Sequence, residues 1–312
     1  MIIYEYPTHK ELNKEGCVLA IGFFDGVHIA HRDLMSTAKH IARERGLAFG
    51  IFTFGSSGGI KGNVQRLYDD GEKSEIFASL DADFTVFADF SAIAGLSPED
   101  FVKKTLCDDL NCRVCVAGFN FRFGKGASGD STRLAELMSE SGGEAVIRKE
   151  ITAGDKTLSA TFIRELVSSG KIEEANSYLG APYYIKGSVC HGRSDGRKLG
   201  FPTANISISE GKITPKNGVY RSATVIDGII YSCVSNIGVC PTFEGKESRL
   251  EAHIIDFEGD LYGKEIRIYL LGYLREEKRF NSINELKMQI NIDKNKAIEE
   301  NGDITWQELG LN

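Results

Sequence analysis

The sequence contains no apolar run approaching the roughly 18 residues that a membrane-spanning helix requires, so no membrane association is expected. It also lacks a basic excess: 37 lysines and arginines stand against 44 aspartates and glutamates, a formal net charge of −7. Proteins that neutralise nucleic-acid phosphates carry the opposite balance, and no nucleic-acid partner is expected. The opening residues, MIIYEYPTHKELNKEG, are broken by charge too early for a secretory signal. The seven cysteines are odd in number and scattered, unlike a disulfide framework. They point to reduced thiols and a cytoplasmic setting. Cys112 and Cys115 have Cys-x-x-Cys spacing, but no second ligand pair follows and they fall in an apolar strand pattern. Buried thiols are expected there rather than zinc or redox chemistry. Internal repeats and low-complexity tracts are absent too, which leaves a globular chain.

At 312 residues that chain is about twice a common domain length, and 42% hydrophobic residues suffice for real cores. In the first half, CVLAIGFF (17–24), LAFGIFTF (47–54), DFTVFADF (83–90), RVCVAGF (113–119) and EAVIRKEI (144–151) read as strands. Helical patterns separate most of them. HRDLMSTAKHIARERGL sets Leu34, Ala38 and Ile41 at helical spacing, and SPEDFVKKTLCDDL places Pro98 after a Ser97 cap. Strands apolar on both faces, alternating with helices, predict an α/β domain with a parallel sheet. Residues 183–272 change texture, rich in β-branched and aromatic residues and cut by turn pairs. Asp227-Gly228 is a two-residue hairpin signal, and RLEAHII puts Leu250, Ala252 and Ile254 on one face, Glu251 and His253 on the other. A small antiparallel β-barrel is predicted, closed by a C-terminal helix. That helix starts at Ser282 and Glu285, with Ile283, Leu286 and Ile290 as its apolar stripe. The boundary is set near Gly180-Ala181-Pro182, giving domains 1–180 and 181–312.

The segment GFFDGVHIAH (22–31) follows the first predicted strand and opens the first helix. In an open α/β sheet that is where ligands bind, at the carboxyl ends of strands. His28 and His31 face one way on the first helical turn. The helix N-terminus beside them offers unpaired N–H groups and partial positive charge, a natural phosphate site. Gly22 and Gly26 allow close backbone approach. The histidines are therefore candidates for binding nucleotide phosphates and stabilising charge as a phosphoryl group is attacked. The plainer alternative is that they only cap the helix.

This segment resembles the Phe-Asp-Gly-x-His-x-Gly-His motif of the nucleotidyltransferase superfamily, and more closely the adenylyltransferase module of bacterial bifunctional riboflavin kinase/FAD synthetases. LSPEDFVKKTLCDDL (96–110), AGFNFRFGKGASGD (117–130) and LSATFIRELVSSGKIEEANSYLG (158–180) match that family in order. The resemblance implies a Rossmann-like domain that adenylylates FMN to FAD with ATP. It carries Phe24 and Asp25 to the nucleotide with Gly22 and Gly26, Asn120 to the transfer centre, and Ser159, Thr161 and Arg164 to the phosphates. The chain departs from the family at Ala30, a glycine in the motif. It departs again in TFGSSGGIKG, where Ser57 and Gly58 replace a histidine and a proline.

Similarity to the family is closer in the second half. YYIKGSVCHGRSDGRKLGFPTANI (183–206), NGVYRSATV (217–225), SNIGVCPTFEGKESRLEAHIIDF (235–257) and YLREEKRFNSINELKMQI (273–290) look like riboflavin kinase segments. Phosphoryl transfer to an alcohol needs in-line geometry, a metal bridging the phosphates and a carboxylate to accept the hydroxyl proton. The resemblance gives Thr203 and Asn205 to Mg²⁺ and Glu251 to the ribityl hydroxyl of riboflavin. Gly187, Ser188, Gly192 and Lys198 go to ATP, with Gly192–Gly200 as a lid, and Arg275 to the flavin. The departures at Ser57 and Gly58 keep open a monofunctional riboflavin kinase whose first domain is a scaffold or sensor. A transferase acting on another phosphorylated alcohol is opposed by the kinase segments, and a flavin-responsive regulator of nucleic acid by the acidic charge.

Overall fold

A computed structural model of the chain describes residues 1–9, 15–55, 65–154, 156–191, 200–242 and 245–311, except the side chains of 240–242 and 245–247. The chain forms two compact units, Met1–Ala160 and Thr161–Asn312.

In the first unit, β1 (Ile2–Tyr6), β2 (Cys17–Ile21), β3 (Ala48–Phe54), β4 (Phe84–Ala88), β5 (Cys112–Gly118) and β6 (Glu144–Arg148) form a sheet in the order β1-β4-β3-β2-β5-β6. Every pairing is parallel. Strand β2 is buried throughout. Val18 and Ala20 pack with Leu34, Met35 and Ala38 of α1 (Ile29–Arg45) and Phe77 of α2 (Asp70–Ser79). Leu19 and Ile21 pack on the opposite face with Phe101, Leu106 and, from α5 (Ser131–Glu140), Leu134. Each such buried side chain contributes about 1.5–3 kcal/mol. Helix α1 ends on Gly46 in the left-handed region, with Arg43 and Arg45 in its last turn. A reciprocal box between Asp69 and Glu72 starts α2. The short helices α3 (Phe90–Ile93) and α4 (Pro98–Asp100) follow β4.

The predicted strands are present, and Cys112 and Cys115 are buried. Two details differ in this unit. Strand β1 is not among the expected strands; it is an edge strand with Ile2, Ile3 and Glu5 exposed and Tyr6 buried. Ser97 does cap, accepting from Asp100 N, but beyond Pro98-Glu99-Asp100 the helix widens into π-helix over Phe101–Asp109. The compact units divide after Ala160. After a small hairpin of β7 (Thr152–Ala153) and β8 (Lys156–Thr157), α6 (Ala160–Ser168) and α7 (Ile172–Leu179) group with the second unit. Asn176 of α7 explains this, donating to Leu270 O at 2.8 Å and accepting from Tyr183 N at 2.8 Å.

The second unit is a barrel of β9 (Tyr184–Ser188), β10 (Ala204–Ser207), β11 (Gly218–Ile226), β12 (Ile229–Thr242), β13 (Gly245–Ile254) and β14 (Glu265–Arg275). The order is β10-β13-β12-β11-β14-β9, all antiparallel. A bridge between Cys190 and Asn205 brings the chain after β9 beside β10 and nearly closes it. Asp227 and Gly228 both have positive φ between the paired Ile226 and Ile229, the predicted tight hairpin. Leu250, Ala252 and Ile254 are buried, as their alternation requires.

Helix α8 (Ile283–Asn301) starts at Ser282, whose side chain accepts from Glu285 N. Its expected stripe is buried in part: Ile283 is 63% exposed, Leu286 and Ile290 are half-buried, and the same face runs on to the buried Asp293 and Ala297. A buried ion pair closes that face. Arg275, at the end of β14, donates to both carboxylate oxygens of Asp293 at 2.7–3.1 Å, and Ala297 packs with Val219, Val234 and Ile255.

Candidate active sites

The order of the first sheet reverses at β2, whose successors run outward on one side while β5 and β6 lie on the other. That switch point, at the carboxyl ends of β2 and β5, is the expected ligand crevice. Gly22 leaves β2 by donating to Phe52 O at 3.1 Å. The following turn holds three residues at positive φ, Phe24 (49°), Gly26 (87°) and Val27 (40°). For a β-branched residue such as Val27 this is strained backbone, of a kind concentrated at ligand clamps. Asp25 is buried and fixes the turn by accepting from Leu67 N at 3.0 Å. Asn120 stands exposed just beyond β5.

The turn delivers His28 to the N-cap position of α1, yet its side chain makes no capping hydrogen bond. The rings of His28 and His31 stack at 3.6 Å, with Phe24 edge-on to His31 at 5.1 Å. Both Nδ1 atoms are buried without a protein partner. Two orphaned polar atoms side by side are costly in a finished core, about 1–3 kcal/mol each, and they oppose the plain capping alternative. Burial lowers His28 to about pKa 4. His31 is lowered well below its ordinary value by burial and by the neighbouring His28. Both rings are neutral at pH 7. They can donate hydrogen bonds to phosphoryl oxygens, while the positive potential comes from the helix N-terminus.

Of the remaining residues expected on this nucleotide, Ser159 is the last but one of the first unit, and Thr161 and Arg164 belong to the second. There Arg164 donates to Thr161 Oγ1 at 2.9 Å on the first turn of α6. Ser57 and Gly58 lie outside the described residues, as do Gly192 and Lys198.

In the barrel, Glu251 on β13 stands directly opposite Asn205 on β10, and on its other side opposite Asn236 on β12. Asn205 is only 5% exposed. Its amide nitrogen is 3.3 Å from Thr203 O and 3.4 Å from Thr203 Oγ1, which turns its Oδ1 away from Thr203, buried without a protein partner. Two neutral oxygens and a carboxylate thus share one end of a two-strand ladder. Thr203 and Asn205 also line a cleft of about 490 Å³, with Val189, Phe257, Asp260 and Tyr262. His191 stacks on Tyr262 at 3.9 Å.

The Phe257–Tyr262 loop was missed in the sequence. Its one signal is a pair of aromatics flanking Glu-Gly-Asp after a strand. On β9 the placements are specific: Gly187 faces the barrel interior, where a Cβ would come within 2.7 Å of Ile206 Cγ2, and Ser188 is exposed. Val189 is the neighbour that reaches the cleft. Arg275, expected at the flavin, ends β14 and is engaged by Asp293.

Among the described residues, no helix is long and apolar enough to cross a membrane. The chain matches the family models described as FAD synthetase over residues 10–162 and Riboflavin kinase over residues 179–300. It is 36% identical to the bifunctional riboflavin kinase/FMN adenylyltransferase of Bacillus subtilis, covering 94% of this chain and 95% of the relative. The protein of the same name from Escherichia coli is 34% identical, covering 92% and 93%. A solved structure described as a macrolide-efflux protein from Streptococcus pneumoniae has a TM-score of 0.85 at 27% identity, covering 95% of this chain and 99% of that one. At 36% identity along nearly its whole length, the chain belongs to the bifunctional riboflavin kinase/FMN adenylyltransferase family.

Proposed function

We propose that this chain converts riboflavin to FMN in its second unit and FMN to FAD in its first, using ATP both times. The observation that carries the kinase reading is the apposition of Glu251 and Asn205 beside Thr203. Glu251 accepts the proton of the terminal ribityl hydroxyl as that oxygen bonds to the γ-phosphorus and ADP leaves. Asn205 Oδ1, buried without a protein partner, and Thr203 Oγ1 are hard neutral donors of the kind that suits Mg²⁺, and they would hold the ion together once the Asn205 amide is turned to bring Oδ1 toward Thr203. When bound there, the ion would neutralise phosphate charge. Phe257 and Tyr262 offer aromatic faces for the base of the nucleotide, and Glu251 sits where the flavin's sugar-alcohol chain would end.

In the first unit, a phosphate oxygen of FMN bonds to the α-phosphorus of ATP and pyrophosphate leaves. His28 and His31 donate to the phosphoryl oxygens in an environment that keeps both rings neutral. The naming of both activities in the curated relatives supports the bifunctional reading over a degenerate first domain. The six cysteines with described side chains are free thiols, which suits a reducing cytoplasm. The test is one incubation of the purified chain with riboflavin, ATP and Mg²⁺, followed by chromatographic separation of flavins. FMN should appear first and FAD after it. Absence of FMN would end the kinase reading, and FMN without FAD would end the bifunctional one.

A further inference from the structure

The β10–β13 ladder stops at Ala204 paired with Ala252. Phe201, Pro202 and Thr203 lie beyond it, outside any strand. Pro202 has no N–H with which to extend the ladder. Yet Thr203 must sit at a defined height beside Glu251 if both are to act on one nucleotide. One side chain bridges this gap. His253, two residues after Glu251 and on the same face, places Nδ1 2.9 Å from Pro202 O. A carbonyl oxygen only accepts, so Nδ1 carries the proton and donates. The ring also meets Phe201 edge-on at 5.4 Å. Across the ladder His253 pairs with Val234, which packs with Ala297 of α8, so a packed residue stands beside it on the same face.

We infer that His253 is a positioning residue for phosphoryl transfer, tying the Phe201–Thr203 segment to the strand that bears Glu251 and so fixing Thr203 for the metal–nucleotide complex. The inference rests on the kinase reading above. It assigns His253 no contact with the reacting atoms. It acts through the Pro202 carbonyl. Losing one neutral hydrogen bond and the order it imposes is worth up to about tenfold in binding.

Calorimetric titration with ADP, with and without Mg²⁺, tests it without turnover. Mg²⁺ should tighten ADP binding to the wild type. That enhancement should fall about tenfold in His253→Phe, which keeps a ring against Phe201 but has no donor. It should return in His253→Asn, whose amide N–H can take the place of Nδ1–H. ADP alone should bind all three equally. In the kinase assay, the KM for MgATP should rise in the Phe variant more than kcat falls, because Glu251 is untouched. A Phe variant with the wild-type Mg²⁺ enhancement overturns the inference, as does an equal loss for ADP alone, the mark of general loosening. If the Phe variant lacks a thermal transition, His253→Gln, polar but with its donor one carbon further out, serves in the same comparison. Wild type that forms no FMN would overturn the kinase reading and this inference together; active wild type beside an unaffected variant overturns this inference alone.

Discussion

Glu251 and Asn205 face each other across the β10–β13 ladder. Directly opposed residues in an antiparallel pair have Cβ atoms about 4.5–5.5 Å apart, so a carboxylate and an amide oxygen reach the same small volume. Replacing Glu251 by Gln keeps the shape and removes the base. Riboflavin phosphorylation should fall by about 10²–10⁴-fold, with FMN adenylylation preserved. Separated flavins read both at once, and equal loss of the two would refute independent sites.

The histidine pair gives a pH signature. Folding lowers the proton affinity of His28, to about pKa 4, and that of His31 well below its ordinary value of 6.5. Between those values the unfolded chain binds protons that the native chain does not. The contribution to stability is therefore intact above pH 6.5 and lost as pH falls toward 4. Calorimetric melting of wild type and of the double variant His28→Gln, His31→Gln between pH 7 and pH 5 should show the smaller decline in the variant. Parallel declines would mean that the rings do not carry the effect.

FAD formation should also depend on both rings. His28→Ala and His31→Ala should each reduce it by about 10²-fold, in the range seen when a preorganised donor is removed. FMN formation from riboflavin is the internal control. Undiminished FAD in both variants would remove the pair from the reaction.

Gly187 separates packing from ligand contact. A Cβ there would lie 2.7 Å from Ile206 Cγ2, and overpacking of this kind costs about 1–3 kcal/mol. Gly187→Ala should lower the denaturant midpoint. Combined with Ile206→Ala it should cost less than the sum of the single changes. Additive losses would argue that Ile206 is not what excludes a side chain.

The cleft predicts a division of labour within the kinase. Tyr262→Ala should raise the KM for ATP about tenfold, on the scale of a lost stacking contact, and leave the KM for riboflavin unchanged. Steady-state kinetics with each substrate varied in turn would show it, and a shift in the riboflavin KM alone would reassign the cleft.

Much of this was legible in the residues. Four of the five apolar segments of the first half became strands with both faces covered, which leaves an unbroken hydrophobic run, while β6 at the sheet edge is only half-buried. Asp227-Gly228 was readable because few pairs tolerate two consecutive positive φ values. What escaped depends on partners distant in sequence. Strand β1 is half exposed and carries Glu5, so nothing local marks it; its strand character comes from pairing with β4. On helix α8 the face that periodicity assigns to the core runs on from Leu286 and Ile290 to Asp293, a charged residue buried there because Arg275 arrives from β14. Asn176 of α7 satisfies Leu270 O and Tyr183 N, and no composition shift announces such contacts. The sites followed the same rule. Glu251 and Asn205 lie 46 positions apart, and sequence alone placed them together only through resemblance, whereas the Phe257–Tyr262 loop carries no motif.

The parallel order of the first sheet also governs how the chain emerges from the ribosome. Strand β2 gains β3 as soon as residue 54 is made, but its other flank waits for β5, where Cys17 meets Cys112. At about 5–20 residues per second, a strand of five apolar residues keeps one bare edge for several seconds, and bare edges invite pairing with other chains. The barrel hairpin at Ile226–Ile229 closes almost as it is synthesised. Stalled or truncated translation before residue 112 therefore endangers solubility through the nucleotide-binding half, well before the kinase half exists.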